Sequence, residues 1–312
     1  MTVGPSPPTP RRRTLGYRLL GARLDYLLHL RPAEWPIVAA HTAVGSLVAL
    51  GSTDMGVGSA RPLQGIVLWV VCLNGGTLAI NSAFDRDVTD IAYLRSPPPP
   101  PRFLFPFGLG LMLLGLVLAS TLPSGYRAAY ALCVGLSVLY SVPPFRLKAV
   151  AGMDWLINMW GFGTLTPYAG WAATGVPVSE AGRALLLGFC PLFAALYPLT
   201  QLYQLEEDRA CGDRTLAVVL GARSSLRLAA SCAMIAFVLF GIAGWRAGWT
   251  ARPDEALRWT TLGVAAAGWA AVLVPWLREA ESLPARAHQR RMYWALAAWA
   301  VTDAAVLFAF AR

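Results

Sequence analysis

The stretch "NSAFDRDVTD", Asn81 to Asp90, sets one amide, three carboxylates and an arginine directly after the apolar run "LQGIVLWVVCLNGGTLAI". Asn81 and Asp85 are four residues apart, so on a helix they project within about 40° of each other. Asn74, seven residues before Asn81, shares that face. Polar groups stacked on one face of an apolar helix are costly in lipid and need a partner such as a cation or water. A second run, "YQLEEDRACGDRT", repeats the spacing with Gln204 and Asp208, and adds Glu206, Glu207 and Asp213. Both clusters offer oxygen donors without His or Cys. Such sets suit Mg2+, which takes one or two carboxylates together with the phosphate oxygens of a substrate. Between them lies "YSVPPFRLK", where Pro143 and Pro144 stop a helix and stiffen the turn, and Arg146 and Lys148 follow. With Arg95, Arg209 and Arg214 in the neighbouring loops, these two are candidate donors to an anionic group.

The elements that hold these loops are those of an integral membrane protein. Of the 312 residues, 56% are hydrophobic and only 14% charged, with a mean hydropathy of +0.51. The net charge of +9 is spread between apolar spans, which fits membrane orientation better than nucleic-acid binding. Five cysteines without CxxC or metal-ligand spacing read as reduced and structural. His41, inside the first span, reads as a satisfied core histidine.

Apolar runs near the ~20 residues that cross a bilayer fall at roughly 36–51, 64–84, 103–120, 126–141, 155–173, 183–203, 225–247, 258–277 and 292–311. Residues 1–14, polar and proline-rich with no cleavable signal, read as a disordered basic tail. Residues 15–35, with a leucine stripe opposed by Arg18 and Arg23, read as an interfacial amphipathic helix. Residues 36–312 then form a nine-helix transmembrane domain. With the N-terminus inside, inner segments hold 19 of the 26 basic residues and outer segments 7. That bias predicts an N-in, C-out chain whose three charged loops all face the cytoplasm. Carboxylates for a metal and cations for phosphate, at the mouth of an apolar bundle, suggest a diphosphate carried on a lipid chain.

In its two acidic segments and the intervening "YSVPPFRLK", in this order and on these spans, the chain resembles the UbiA superfamily of intramembrane prenyltransferases. The resemblance runs from "LRPAEW", before the first span, to the ninth. It implies an all-α bundle of nine helices around a central cavity, Mg2+-bound prenyl diphosphate, and prenyl transfer to a lipophilic acceptor with release of diphosphate. Asn81, Asp85, Asp90, Gln204, Asp208 and Asp213 are then the candidate metal ligands, with Asp85 and Asp208 the catalytic pair. Arg95, Tyr140, Arg146, Lys148, Arg209 and Arg214 would bind the diphosphate.

Two positions depart from the family pattern. Thr89 stands where the first motif usually has its second Asp, and Gln204 where the second motif usually begins with Asp. Asp90 comes round to the Asp85 face only if the helix ends or bulges after Asp85, and Asp87 points nearly opposite. The expected ligand is therefore Asp90, with Gln204 as a neutral ligand or holding a metal-bound water. Pro97 to Pro101 should form a stiff polyproline strut.

The chemistry that the resemblance implies is ionisation of an allylic diphosphate inside a dry, aromatic-walled cavity. Span five offers Trp155, Trp160, Phe162 and Tyr168, and span six adds Phe193 and Tyr197; Asn74 and Asn158 are candidates to face the acceptor. A UbiA-like terpene cyclase would use the same diphosphate site and quench the cation within the molecule. A transporter would want charges at mid-bilayer and two matching broken helices. A CDP-alcohol phosphotransferase would carry a motif that this sequence lacks. Neither the acceptor nor the prenyl length is written in these residues.

Overall fold

The computed structural model of the chain describes residues 11–51, 60–85, 91 and 93–311, the side chains at 11–14, 207 and 211 excepted. Arg86 to Asp90 fall outside them, so the ligand expected at Asp90 and the acid at Asp87 do too.

Among the described residues the fold is entirely helical, with no strand beyond two isolated bridges. Two short helices, α1 (Arg11–Leu20) and α2 (Arg23–His29), are separated by Gly21 in the left-handed conformation. α3 (Trp35–Leu50) opens on Pro36, where a missing N–H costs nothing, and closes on Gly51 at φ 62°. α4 (Ala60–Val67) runs through a π-helical stretch, Leu68–Asn74, into α5 (Gly75–Asp85). α6 (Leu104–Leu118) and α7 (Ser124–Ser141) follow. α8 (Met153–Asn158) passes through a second π-helical stretch, Met159–Leu165, into α9 (Thr166–Thr174). α10 (Glu180–Gln201) starts on Ser179, whose Oγ accepts from the Gly182 N–H at 3.0 Å. The short α11 (Leu205–Cys211) precedes α12 (Leu216–Arg246), α13 (Glu255–Arg278) and α14 (Ala285–Phe310).

Each of the nine expected spans coincides with one of these helical rods. Among the described residues six rods are long and apolar enough to cross a membrane, namely Ala60–Asp85, Leu104–Thr121, Glu180–Gln201, Leu216–Arg246, Glu255–Arg278 and Ala285–Phe310; α3 is a shorter apolar helix. Leu114, Val117, Met234, Val238, Val264 and Trp294 turn apolar side chains outward from these rods, as lipid-facing helices do. The chain is a multi-pass helical membrane protein.

The helices pack α3 on α9, α5 on α6, α10 on α12 and α13 on α14, and α14 returns to α3 and α10 to close the bundle. α3 and α9 meet at glycines: a methyl on Gly45 would overlap the Pro167 carbonyl, and one on Gly170 the Thr42 carbonyl. The closure between α3 and α14 is polar. His41 Nδ1 lies 3.0 Å from both carboxylate oxygens of the buried Asp303, which also accepts from Trp299 Nε1 at 3.2 Å.

The other ring nitrogen, Nε2, donates to the Phe162 carbonyl at 3.2 Å. That carbonyl has lost its backbone partners, because the Thr166 N–H goes to Gly161 in the π-turn and Pro167 has no N–H. His41 thus joins α3 to α14 through Asp303 and to the π-stretch through the Phe162 carbonyl, and no ring nitrogen is left without a partner in the buried interior. His41 is the satisfied core histidine that the sequence led one to expect.

Candidate active site

Asp85 is the last residue of α5, so its carboxylate stands where the rod ends. Opposite, α7 stops at Ser141 because Val142 is extended ahead of Pro143 and the Pro143–Pro144 pair cannot continue a helix. Arg146 then turns the chain at φ 36°, in the left-handed region that a side chain seldom adopts. The turn brings two cations onto the acids. Lys148 Nζ donates to Asp85 Oδ1. Arg146 NH1 donates to Asp213 Oδ1 at 3.0 Å, and its NH2 lies 3.7 Å from Asp85 Oδ1. Lys148, Asp85, Arg146 and Asp213 thus form one alternating chain of charge across the mouth. Asp85 and Lys148 are nearly buried, with side chains 14% and 13% exposed.

The second acidic segment is tied to the same place. Gln204 immediately precedes α11, and the Asp208 N–H donates to its carbonyl at 2.9 Å, so the two lie one turn apart. Asp208 Oδ2 accepts from Thr215 Oγ1 at 3.3 Å, while Thr215 Oγ1 also caps α12 by accepting from the Val218 N–H. The Arg214 N–H donates to the Ala149 carbonyl at 3.3 Å, which stitches this loop to the basic one. The side chains of Arg95, Arg209 and Arg214 are exposed on the same loops.

Sequence reasoning missed the anchor beneath. Asp154, in the first turn of α8, is wholly buried. Its Oδ1 accepts from the Gly152 N–H at 2.9 Å, and its Oδ2 accepts from Gln201 Nε2 at 2.9 Å and the Leu216 N–H at 3.1 Å. One carboxylate therefore fixes the basic loop, the end of α10 and the start of α12. Gln201 also donates to the Tyr197 hydroxyl at 3.3 Å, which lies 2.9 Å from the Tyr140 hydroxyl. Asn158 Nδ2 donates to the Asp154 carbonyl, and Ser141 Oγ donates to Asn81 Oδ1 at 2.8 Å. The one available signal was Asp154 itself, a carboxylate four residues ahead of Asn158 at the head of an apolar span.

Below this mouth lies a cavity of about 140 Å3. Asn81, Tyr140 and Asn158 line it near the charged chain; Asn74, Leu73, Trp69, Cys133, Phe162 and Thr166 line it farther in. No Asp, Glu, Lys, Arg or His is among its lining residues. Phe162 stacks on Phe193 at 5.2 Å between ring centroids, and Trp299 meets Phe193 edge-on at 5.3 Å. Asn74, Asn158 and Phe162 are among the residues that line this cavity. Trp155 and Trp160 do not line the cavity. Trp155 Nε1 is turned to the Ala194 carbonyl at 2.8 Å, and Trp160 is 40% exposed on the outside.

Among the described residues no three His, Cys, Asp or Glu side chains converge as a ready-made metal cage. The donors that are present are hard oxygens, one or two carboxylates at a time, with the cations Arg146 and Lys148 beside them. That set fits Mg2+, which completes its octahedron from substrate phosphate and water.

The UbiA prenyltransferase family profile matches residues 40–297. A lycopene elongase/hydratase from Haloferax volcanii is 29% identical over 237 residues, covering 73% of this chain and 76% of that protein. A digeranylgeranylglyceryl phosphate synthase from Methanopyrus kandleri is 30% identical over 230 residues, covering 70% and 80%. A UbiA homologue from Archaeoglobus fulgidus, solved with DMAPP and Mg2+, superposes with a TM-score of 0.63 over 89% of this chain and 99% of that one; at 19% identity the likeness speaks for the fold. The chain belongs to the UbiA prenyltransferase family, and its enzymatic class is prenyltransferase.

Proposed function

We propose that the chain transfers a prenyl group from an allylic prenyl diphosphate to a lipophilic acceptor within the membrane. The observation that carries this reading is the alternating Lys148–Asp85–Arg146–Asp213 chain standing over a cavity lined without Asp, Glu, Lys, Arg or His. A diphosphate head suits the first and a prenyl tail the second. Asp85, Asp208 and Asp213, with Asn81 and Gln204 as neutral oxygens, would hold Mg2+. The bound ion would supply charge neutralisation to the departing diphosphate. Arg146 and Lys148 exchange an aspartate for a phosphate oxygen as the substrate enters. The C1–O bond breaks with its electron pair leaving on the diphosphate, and the allylic cation is shielded from water by the cavity wall to which Tyr140 and Phe162 belong. A nucleophilic pair of the acceptor then bonds to C1, and the acceptor loses a proton.

In this reading all nine rods cross the bilayer with the N-terminus inside. The mouth faces the cytoplasm, and α1 and α2 lie along the inner surface, where Leu15 and Leu19 present exposed apolar side chains. Gln204 acts as a neutral ligand, and Asp90 closes the metal set from the acidic segment. The test is direct. Purified protein is incubated with Mg2+ and allylic diphosphates, with and without an extract of membrane lipids. Diphosphate release that needs both Mg2+ and extract is expected. Release without extract would favour intramolecular quenching, and undiminished release in EDTA would remove the metal.

A further inference from the structure

We infer that Trp69 is the floor of the cavity and sets the longest prenyl chain the enzyme accepts, an inference that rests on the prenyl diphosphate reading above. On α5 and the π-stretch before it, the lining residues form one stripe from Asn81 at the mouth through Thr77 and Leu73 to Trp69. Twelve residue steps separate the two ends, at most about 18 Å at the α-helical rise. The cavity is therefore a column that runs away from the charged mouth, the shape of an extended chain.

The far end is closed by a braced side chain. Trp69 is 3% exposed, and its Nε1 donates to Thr166 Oγ1 at 3.2 Å. Thr166 Oγ1 in turn donates to the Gly161 carbonyl at 3.0 Å. Behind the indole stand the rings of Tyr126 and Tyr130, both edge-on with centroids at 6.0 and 6.1 Å. Tyr126 is itself pinned through its hydroxyl to the Gly65 carbonyl at 2.7 Å. One turn beyond Trp69 the helices pack closely: a methyl on Gly65 would come within 2.7 Å of the Ala173 methyl. α4 and α9 touch there, behind the indole, which makes Trp69 the last lining side chain of the stripe. Removing the indole lengthens the column by its own volume and no more.

The experiment measures binding of non-ionising prenyl thiolodiphosphates of increasing length to the full chain in detergent with Mg2+, so it needs no acceptor. The wild-type chain should show a cut-off, with affinity falling at least tenfold when one isoprene unit too many is added. Trp69→Ala should move that cut-off up by one unit, and Trp69→Leu should relax it part of the way. Leu73→Trp, one turn nearer the mouth, should move it down, and this opposite shift covers the case in which Trp69 variants fold poorly. A cut-off unmoved in both directions, or the lack of any cut-off in the wild type, overturns the assignment of the floor alone. If no length binds in the presence of Mg2+, the prenyl diphosphate reading falls, and the floor with it.

Discussion

Asp85 is held by two cations at once, and that arrangement says what its loss would do. In the structure Lys148 and Arg146 neutralise it, and under the proposed function its oxygens would turn to a metal. Asp85→Asn keeps the shape and removes the charge. Turnover should fall more than about a thousandfold, or ~4 kcal/mol, while thermal unfolding in detergent stays close to wild type. Asp208→Asn should behave alike, because it sits at the other acidic segment. A residual rate above a tenth in either variant would take that residue out of the metal set.

Asp154 acts at one remove. It touches neither the cavity nor the charged chain, but it receives Gly152, Gln201 and Leu216 together. Asp154→Ala takes the acceptor from the Gly152 and Leu216 N–H groups and from one N–H of Gln201, and should cost about 1–3 kcal/mol of stability. Asp154→Asn should leave a folded protein whose Mg2+ requirement is raised several-fold, since the loop bearing Asp208 and Asp213 is then less fixed. A stability loss with an unchanged Mg2+ titration would make Asp154 a purely structural group.

At the scale of elements, the basic loop works because it is stiff. Pro143 and Pro144 end α7, the strained turn at Arg146 aims the guanidinium, and the Arg214–Ala149 hydrogen bond joins it to the acidic loop. Arg146→Ala and Lys148→Ala should each raise the KM for the prenyl diphosphate about ten- to a hundredfold, the worth of a charge-assisted contact of roughly 1.5–3 kcal/mol. The KM for the acceptor should change far less, and equal effects on both would mean that the loop holds the mouth together without choosing the diphosphate.

Elements also explain how much of the site was legible. The acidic and basic loops could be read because their chemistry is local: charges at the ends of apolar spans, in fours, with prolines between. The hub of Asp154, Gln201 and Tyr197 could not, because it joins α8 to α10 and α12, and no spacing records that contact. Trp155 and Trp160 stand off the cavity for another reason. Residue type does not fix which face a side chain takes, and the π-stretch Met159–Leu165 shifts the helical phase within that very span. The nine rods were legible from hydropathy alone, and their closest approaches, at Gly45 and Gly170, were not.

As a whole the molecule is a ring whose first long helix, α3, must find its last, α14. His41 and Asp303 make that join inside the bundle, with Trp299 and the Phe162 carbonyl completing the set. Replacing one partner strands a buried polar group, so His41→Ala or Asp303→Ala should destabilise by about 3–5 kcal/mol. The double variant should cost clearly less than the sum, a coupling that thermal unfolding can measure. An additive pair would mean that the join carries no energy of its own. The join also has a consequence in time. A ribosome delivers His41 with α3 and Asp303 only with α14, so the histidine waits for its partner while the helices between them are made. Until then it waits in the membrane with a neighbour missing, and the Phe162 carbonyl waits with it. A chain halted before residue 303 would carry both acidic loops, the basic loop and Trp69, and still lack the piece that locks the wall of the cavity. Closure of the chamber therefore waits on α14, however early the loops of the site are in place.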